Sequence, residues 1–526
     1  MTGATQQGRP MYLTQGLHRA VAHHPGRIAT AFGTRTRTFA EQIDRVSRFA
    51  GGLRALGVGS GDCVGMLALN SDRYIEYLLA TCWAGGVVNT MNIRWSAAET
   101  AESVNGCGTR VLCVDDAFAV MVDELRDRCP ELTHIIHCGD GPTPDGMYGI
   151  EDLISGSLPV DDERRGGNQP AALFYTGGTT GRAKGVMLSH HNLVASALGS
   201  IATCGFATPD GAMLHAAPMF HLGDLAGWVA HTLLGNTHVL IPRFDPTAVL
   251  RAVEQHNVTD LLLVATMVPM VFDHVEAGSA DLSSLRRLVY GAAPIPATVI
   301  QRVLAKVPQL EFVQTYGMTE LSPVATMLTP ADHRAGGHRL RSVGRAAVHC
   351  EVRIVDPNGR TVEPGVVGEV SVRGDGVMQG YRDLPEATAA AVRDGWMHTG
   401  DGGYIDEDGY LFLVDRIKDM IITGGENVYS LEVENAIAGH PDIAACAVVG
   451  VPDDKFGERV HAVVVPRPGT RPDPDEIRAF AKTSIAGYKV PRTISFAAEL
   501  PLSAAGKVLK HVLRDRLTAP VANGAR

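Results

Sequence analysis

A glycine- and threonine-rich segment with a single lysine carries more chemistry than any other part of this chain; between Phe174 and Val186 it reads F-Y-T-G-G-T-T-G-R-A-K-G-V. Glycines let the backbone turn back on itself, so that successive amide N–H groups can point into one concavity that suits an anion. Threonine hydroxyls add donors, and Lys184 adds a full charge on a flexible stem, which suits the outer phosphates of a nucleotide. We therefore predict a phosphate-binding loop formed by Thr176, Gly177, Gly178, Thr179, Thr180, Gly181 and Lys184.

A Walker A loop and a glycine-rich surface turn are the two other interpretations of this segment. A Walker A loop needs Gly-Lys followed by Ser or Thr at the start of a helix, whereas here Arg182 and Ala183 precede Lys184 and Gly185 follows it. A glycine-rich surface turn is the structural alternative for the segment taken alone. The apolar run 171–175 just before it predicts a buried strand that leads into the loop.

Length and charge set the outer limits on function. With 526 residues, of which 45% are hydrophobic, the chain can bury a large core and is expected to form more than one domain. A net charge of -10 without a Lys/Arg-rich run argues against nucleic acid or an anionic membrane as partner. Any phosphate site must then be local.

Cysteine usage and hydropathy indicate the cellular context. The nine cysteines include no C-x-x-C pair and are odd in number, which is typical of reduced, buried thiols. Residues 1–10 are polar and lack the apolar centre of a signal peptide, and apolar stretches such as 261–272 are too short to span a bilayer. We therefore expect a cytoplasmic protein without integral membrane association.

The phosphate loop lies in a region where helical and β-rich patterns alternate, for example over 41–56, 63–69 and 74–85. Such alternation favours a parallel α/β sheet. The Gly-, Pro- and Asp-rich segment 139–170 is interpreted as a surface connection. Over 342–380 the pattern changes to short strands around a P-N-G turn, which predicts antiparallel strands of a small β-barrel subdomain.

A charged pentapeptide at 415–419 lies between two apolar runs and is interpreted as a hinge. Beyond it we predict a helix over 431–440 with Ser430 as N-cap, strands near 444–449 and 460–465, and a helix that begins at Asp473-Pro474. The predicted organisation is a large α/β domain over 12–414, the hinge, and a small mobile α+β domain over 420–518, with disordered ends at 1–11 and 519–526.

Further motifs follow the phosphate loop in a fixed order, namely P-M-F-H (218–221), Y-G-A-A-P (290–294), Q-T-Y-G-M-T-E (314–320), H-T-G-D (398–401), D-R-I-K-D-M-I-I-T-G-G-E-N (415–427) and P-L-S-A-A-G-K (501–507). Together they resemble the adenylate-forming (ANL) superfamily, in particular its acyl-CoA synthetases of the fatty-acid–CoA ligase type. The resemblance covers nearly the whole chain. Two departures are visible, because Gly178 and Ala183 stand where the family more often has Ser and Pro; Gly178 removes one hydroxyl donor, but the backbone amides and Lys184 remain.

The resemblance implies a reaction in two steps, with ATP, Mg²⁺ and CoA. A carboxylate attacks the α-phosphorus of ATP to give acyl-AMP and pyrophosphate, and a thiol then takes the acyl group. Because the first step brings two anions together, positive charge around the phosphates must carry much of the catalysis. Thr319 is expected to contact the α-phosphate and Glu320 to hold Mg²⁺; for Glu320 taken alone, a solvated surface acid is the alternative.

Other family roles concern the nucleoside. Asp401 is expected to accept both ribose hydroxyls, and Arg416 to steady the ribose and the phosphates. Tyr316 is expected to stack on the adenine, although a buried core tyrosine is the competing interpretation. The remaining expected contacts to ATP or AMP are Gly291, Ala292, Ala293, Gln314 and Gly317.

The small domain is implied to alternate between two arrangements. Lys507 resembles the lysine that bridges the substrate carboxylate and the α-phosphate, whereas Lys510 is interpreted as a solvated side chain. Lys418 is the expected pivot. After adenylation the small domain would rotate and bring the glycine-rich segment of the CoA tunnel into place, namely Gly424, Gly425 and Glu426.

His221 resembles the gate between the acyl pocket and the CoA tunnel, with a satisfied core histidine as the alternative. Candidate apolar walls are Leu222, Trp228, Met267, Met318 and Val324, while Gly291 and Gly317 leave room by lacking bulk. The expected substrate is a hydrophobic carboxylic acid. Fatty, branched or polycyclic natural-product, and arylpropenoic acids are all left open.

Three other classes share parts of this pattern. An adenylation enzyme could load a carrier protein instead of CoA, either alone or as a peptide-synthetase module, and Asp224 near His221 keeps an amino-acid substrate open. A luciferase-like oxygenase would reveal itself by light or oxygen uptake. A degenerate scaffold protein is expected to lack the charged residues of the site, and Lys184, Glu320, Asp401, Arg416 and Lys507 are all present. CoA is the expected acceptor, and the oligomeric state is open.

Overall fold

The structure is a computed structural model that describes residues 10–177, 183–274, 278–291, 295–416, 419–424, 426–453, 455–502 and 508–518; the side chains of Arg416 and Asn427 lie outside the described part. The chain divides into two units. Unit 1 comprises Met1–Val352 and Val372–Met397, and unit 2 comprises Arg353–Ser371 and His398–Arg526.

Helices and short strands alternate along most of the chain, as the apolar patterning predicts. The helices are α1 (Gln15–His23), α2 (Phe39–Ala55), α3 (Asp72–Trp83), α4 (Ala97–Gly106), α5 (Val122–Arg128), α6 (Ile150–Gly156), α7 (His190–Cys204), α8 (Leu222–Leu234), α9 (Pro246–His256), α10 (Met267–Phe272), α11 (Ala297–Lys306), α12 (Pro330–Ala335), α13 (Pro385–Ala391), α14 (Ser430–Ala438), α15 (Pro474–Lys482) and α16 (Lys510–Thr518). The strands are β1 (Ile28–Phe32), β2 (Arg35–Thr38), β3 (Cys63–Leu67), β4 (Val87–Thr90), β5 (Val111–Val114), β6 (His134–His137), β7 (Tyr148–Gly149), β8 (Pro170–Gly177), β9 (Ala183–Ser189), β10 (Ala212–His215), β11 (Thr237–Leu240), β12 (Asp260–Val264), β13 (Arg287–Gly291), β14 (Glu311–Gly317), β15 (Val324–Leu328), β16 (Arg345–Ala346), β17 (Cys350–Val355), β18 (Gly368–Gly374), β19 (Gly380–Tyr381), β20 (Val392–Arg393), β21 (Trp396–Ile405), β22 (Leu411–Arg416), β23 (Ile421–Thr423), β24 (Glu426–Val428), β25 (Ile443–Asp453), β26 (Gly457–Pro466) and β27 (Thr493–Phe496).

Two large sheets form the framework of unit 1. The first has nine strands in the order β16-β15-β14-β13-β12-β10-β11-β1-β2, and the second has eight in the order β19-β9-β8-β4-β3-β5-β6-β7. Their central strands are parallel, whereas β2, β9, β15, β16 and β19 pair antiparallel. The central strands read as continuous apolar runs because helices cover parallel sheets on both faces.

Several helices of unit 1 begin at a capping box that is visible in the sequence. Thr38 and Glu41 cap α2 reciprocally, and Ser96 and Glu99 do the same for α4. Helix α7, which follows β9 directly, has Ser189 as its N-cap and Asn192 as the other half of the capping box. These caps satisfy backbone N–H groups that have no partner inside the helix, and they fix where each helix leaves its strand.

The predicted surface connection over 139–170 is wrong in part. It contains strand β7 and helix α6, and both Ile150 and Ile154 of that helix are buried. A helix of two turns is too short to produce a recognisable apolar period, and its glycine- and proline-rich flanks dominate the local composition.

A smaller sheet of five strands has the order β17-β18-β21-β20, with β22 paired to β21; β20 and β22 each run antiparallel to β21. The sheet confirms that the segment after residue 342 contains short strands, β17 and β18. The P-N-G turn lies as expected between β17 and β18, and Gly359 there has φ +78°, a conformation that favours glycine. The division into two units runs through β17, β18 and β21.

The last part of unit 2 is an α+β structure, as the sequence predicts. Strands β25 and β26 form a long antiparallel pair, β27 adds to β26 in parallel, and β23 and β24 form a hairpin beside β26. Helix α15 begins at Pro474 with Asp473 as its N-cap. The core of this region is Ile421, Val428, Val433, Ile437, Ile443, Val448, Val460, Ala462, Val464, Ile477 and Ala481.

Two predictions in this region are wrong. Ser430 is the first residue of α14 rather than its N-cap, and its hydroxyl lies 2.6 Å from Asp415 Oδ2. Lys510 is not merely solvated, because its ammonium forms a 2.8 Å ion pair with Glu434 at side-chain exposures of 14% and 16%. Burial raises the pKa of Glu434, and Lys510 opposes that shift. Ser430 and Lys510 each interact with a side chain that is distant in sequence, and local sequence patterns do not predict such pairs.

The chemistry of the thiols agrees with the sequence. All nine cysteines are free, and six of them are buried. Within the described ranges, no helix combines the length and the apolar character needed to cross a bilayer.

Candidate active site

The predicted phosphate loop is the tip of an antiparallel hairpin between β8 and β9. Residues Ala171 to Phe174 of β8 are buried, which confirms the predicted strand. Thr176 on β8 lies opposite Lys184 on β9 in the ladder. The tip itself, with Gly178, Thr179, Thr180 and Gly181, lies outside the described residues. This β8–β9 hairpin, here called the phosphate hairpin, therefore carries the Thr176 hydroxyl and the Lys184 ammonium on paired residues next to the predicted phosphate loop.

Glu320 lies close to this hairpin, in a single 3-10 turn formed by Thr319–Leu321 after β14. It is 4% exposed, so it is not a solvated surface acid. Its Oε1 accepts a hydrogen bond of 2.9 Å from Tyr381 and a longer contact of 3.4 Å from Thr176 Oγ1. The buried carboxylate thus belongs to the same site as the phosphate hairpin.

The donor set around Glu320 fits Mg²⁺ better than a metal that needs a protein cage. Among the described residues, no group of three or more His, Cys, Asp or Glu side chains could hold a metal ion. Mg²⁺ commonly binds through one or two carboxylates together with waters and substrate phosphates. A single carboxylate beside a phosphate site is the arrangement that this coordination requires.

Tyr381 is part of the site and was not found from the sequence. Strand β19 pairs with β9 so that Tyr381 lies opposite Val186, and the ammonium of Lys184 is 4.8 Å from the centre of the tyrosine ring. Burial and the neighbouring Glu320 raise the pKa of the phenol. A Gly-Tyr pair at the start of β19 is too common a pattern to have signalled this role.

A second group of predicted residues gathers at one edge of the nine-stranded sheet. Gly291 ends β13, Gly317 ends β14, Met267 follows β12 and His221 follows β10. These four strands are neighbours and run parallel, so their carboxyl ends lie at the same edge. Open α/β sheets bind ligands at that edge, which makes it the candidate nucleoside and acyl region.

The candidate adenine residues differ in exposure. Tyr316 is half-buried, whereas Gln314 is 3% exposed and accepts a 3.3 Å hydrogen bond from Tyr290. Tyr290 is the fully buried core tyrosine of this region and also contacts His333 at 2.9 Å. Ala292 and Ala293 lie outside the described residues.

Gly317 is required by the backbone around it. A Cβ at this position would lie 1.9 Å from the carbonyl oxygen of Pro323, and one at Gly291 would lie 3.0 Å from Thr315 O. Met318 is half-buried, and Val324 is buried opposite Gly317. The glycine thus permits the tight return of the chain from β14 to β15, in addition to leaving space.

Helix α8 presents the remaining acyl candidates. His221 precedes the helix, and its ring centre is 4.4 Å from that of Phe220. Leu222 and Trp228 are buried within the helix. Asp224 is also buried, and its Oδ2 lies 2.6 Å from His215 Nδ1. His215 therefore engages one oxygen of the Asp224 carboxylate.

The H-T-G-D motif lies in unit 2. Asp401 on β21 is opposite Arg416 on β22, and its N–H donates to Thr399 Oγ1 at 3.1 Å. Glu369, which the sequence did not single out, accepts the N–H of Gly400 at 3.1 Å, and its other oxygen lies 2.8 Å from His398 Nδ1. Glu369 therefore holds the turn that presents Asp401.

The candidate CoA-tunnel segment is the hairpin between β23 and β24. Gly424 has φ +63°, and its N–H donates to Phe456 O at 2.8 Å. Glu426 is exposed and pairs with Thr423. Gly425, the predicted pivot Lys418 and the predicted catalytic Lys507 lie outside the described residues.

Comparison with known proteins agrees with this arrangement. The family model for the AMP-binding enzyme matches residues 17–382, and the model for the AMP-binding enzyme C-terminal domain matches residues 432–507. The chain is 41% identical over 497 residues to a feruloyl-CoA synthase of an Amycolatopsis species, covering 94% of this chain and 96% of that protein. It is 38% identical over 508 residues to an indoleacetate–CoA ligase of Aromatoleum aromaticum, covering 96% and 98%. The crystal structure of ATP-bound MatB from Rhodopseudomonas palustris superposes with a TM-score of 0.87 at 30% identity, covering 97% of this chain and 99% of that one.

The chain belongs to the AMP-binding enzyme family of adenylate-forming proteins. Within that family it is an AMP-forming acid–thiol ligase, which activates a carboxylic acid with ATP and transfers the acyl group to CoA.

Proposed function

We propose that this ligase uses Mg²⁺·ATP at the site formed by the phosphate hairpin and Glu320, and that its acid is a hydrophobic aromatic acid. The observation that supports the metal site is the buried Glu320 carboxylate in contact with Thr176 at the neck of the hairpin. Without a cation, the buried Glu320 carboxylate and the phosphates of ATP would repel each other. We therefore infer that a cation binds between the carboxylate and the phosphates.

The described residues divide the work of the first step. Lys184 and Thr176 hold the outer phosphates, Thr319 contacts the α-phosphate, and Glu320 would hold the metal, which supplies positive charge to the triphosphate when it is bound. Asp401 accepts the ribose hydroxyls, because a carboxylate is an acceptor-only group with two oxygens. These groups lower the barrier mainly by placing charge where the attack on the α-phosphorus develops it.

The substrate class is inferred from the relatives. Two proteins that match almost the whole chain are named for feruloyl and indoleacetate substrates, both aromatic acids. Several of the residues expected to form the acyl region, including Met267, Gly291 and Gly317, end or follow β12, β13 and β14 at the carboxyl edge of the sheet. We therefore favour arylpropenoic or arylacetic acids over fatty and polycyclic acids.

Two finer features are also proposed. The segment 415–419 serves as the hinge and Lys418 as its pivot, and Lys507 bridges the substrate carboxylate and the α-phosphate. Both proposals are supported by the D-R-I-K-D and P-L-S-A-A-G-K motifs. A carrier protein as the thiol acceptor is the alternative to CoA.

The test is pyrophosphate release with ATP and Mg²⁺ over a panel of aryl, fatty and polycyclic acids, with and without CoA, followed by mass detection of the product. A CoA thioester formed fastest from an aryl acid supports the proposal. Preference for a long-chain acid would overturn the substrate class, and acyl-AMP that accumulates despite CoA would favour a carrier protein.

A further inference from the structure

We propose that Tyr381 is a positioning residue for adenylation, which orients Glu320 toward the metal and seats the ammonium of Lys184 beside the phosphates. This inference rests on the proposed Mg²⁺·ATP site. It goes beyond that site because Tyr381 belongs to none of the motifs that define the phosphate loop or the metal carboxylate.

The first argument is the position of Tyr381 between the two charged groups. Its hydroxyl donates to Glu320 Oε1 at 2.9 Å, and its ring lies 4.8 Å beneath Lys184 Nζ. Tyr381 is 8% exposed and Glu320 4% exposed, so the hydrogen bond between them is shielded from water. One residue therefore contacts the carboxylate through its hydroxyl and the cation through its π face.

The second argument is that the backbone holds this tyrosine in place from several sides. The N–H of Met378 donates to Glu320 O at 2.9 Å, and the N–H of Arg382 donates to Gly185 O at 2.8 Å. The N–H of Tyr381 donates to Thr388 Oγ1 at 2.9 Å. The segment thus ties the turn of Glu320 to strand β9, so the tyrosine cannot move independently of either.

The chemical consequence follows from which oxygen is used. A phenol that donates to Oε1 fixes the orientation of the carboxylate and leaves its other oxygen for a metal ligand. A ring under the ammonium limits the rotamers of Lys184 and so lowers the entropy lost when phosphate binds.

The test separates the hydroxyl from the ring by kinetics. Tyr381→Phe keeps the ring, so we expect the half-saturating concentration of free Mg²⁺ for pyrophosphate release to rise about three- to tenfold. The KM for ATP at saturating Mg²⁺ should stay within about twofold. Tyr381→Leu removes the ring as well, and both quantities should rise.

Two reference variants make the outcome decisive. Glu320→Gln tests the proposed metal site: if it leaves the Mg²⁺ requirement unchanged, that site is wrong, and this inference with it. If Glu320→Gln raises the requirement but Tyr381→Phe does not, only the inference is overturned. Tyr77→Phe is the matched control, because Tyr77 is fully buried and donates to Val64 O at 2.7 Å in the sheet core. If Tyr381→Phe and Tyr77→Phe both lose activity and neither changes the Mg²⁺ dependence, Tyr381 is merely structural.

Discussion

At the scale of single residues, the site holds the buried Glu320 carboxylate and the Lys184 ammonium close together without a direct ion pair between these two groups. Tyr381 lies between Glu320 and Lys184, donating to the one and stacking under the other. A direct ion pair would compete with Mg²⁺ for the carboxylate and with phosphate for the ammonium. On our proposal, separation by the tyrosine side chain leaves both groups for Mg²⁺·ATP.

The contribution of Lys184 can be measured by truncation. We expect Lys184→Ala to lower kcat/KM for ATP about tenfold to hundredfold, because a charged contact to the outer phosphates is lost. For Lys184→Arg, kcat/KM for ATP should lie between the values of the unsubstituted protein and Lys184→Ala. The planar guanidinium keeps the charge but not the compact shape of the ammonium.

The control for this experiment is Lys482→Ala, which removes an exposed cation on α15. Initial rates over a range of ATP concentrations give the comparison. An unchanged KM for ATP in Lys184→Ala would contradict the assignment.

At the scale of elements, the turn between β14 and β15 decides where Glu320 lies. The chain leaves β14 at Gly317, forms the 3-10 turn that carries Glu320, and returns in β15 opposite the same glycine. There is no room for a side chain on the inner face of Gly317, because Pro323 O approaches so closely. The backbone of Glu320 is therefore positioned by a close approach of main chain, and its carboxylate accepts the hydrogen bond from Tyr381.

This reasoning predicts that Gly317→Ala is both destabilising and nearly inactive. The added Cβ would have to displace the backbone at Pro323, at a cost of roughly 2 kcal/mol or more. We expect a lower Tm and at least tenfold slower pyrophosphate release, because the turn that carries Glu320 must shift.

Gly106→Ala provides the matched control, since a Cβ there meets nothing within 4 Å at the end of α4. Thermal denaturation and pyrophosphate release would be compared for both variants. Equal stability and activity in the two would show that the turn adapts easily.

At the scale of the whole molecule, several buried histidines make stability depend on pH. Burial lowers the pKa of His190 to about 4 and that of His231 to about 4, and it also lowers the pKa of His238 well below its usual value. In the unfolded chain these groups bind protons near pH 6.5. The unfolded state therefore holds more protons between pH 6.5 and 4, and the free energy of unfolding must fall as the pH falls through that range.

We accordingly expect Tm to decrease steadily from about pH 6.5 to about pH 4, with His190 and His231 each lowering the free energy of unfolding by roughly 3 kcal/mol once the pH is below their folded-state pKa. His190→Gln should flatten the decline, since it keeps a side-chain acceptor for the N–H of Leu13 but does not titrate. The idea fails if Tm is constant over this range in the unsubstituted protein.

The two half-reactions give a second test at this scale. If Lys507 serves adenylation alone, Lys507→Ala should abolish acyl-AMP formation but spare thioester formation from supplied acyl-AMP and CoA. The exposed Lys482→Ala should leave both half-reactions intact. Equal loss of both in Lys507→Ala would contradict a small domain that alternates between two tasks.

The sequence by itself was sufficient for the class of fold, the order of the motifs and the family. Glycine-rich loops, capping boxes and apolar periods are local patterns, and the strand before the phosphate loop, the α15 cap at Asp473 and the short strands after residue 342 all follow from them. Such patterns depend on neighbours within a few residues, so one chain is enough to read them.

Only the tertiary structure decided which groups meet. Tyr381 and Glu320 are 61 residues apart, and Thr176 and Glu320 are 144 apart, yet their side chains share one site. Their approach depends on the order and register of strands in two sheets, which spacing along the chain does not specify. For the same reason Lys510 was misjudged, because its acidic partner lies on another helix and burial makes their pairing necessary.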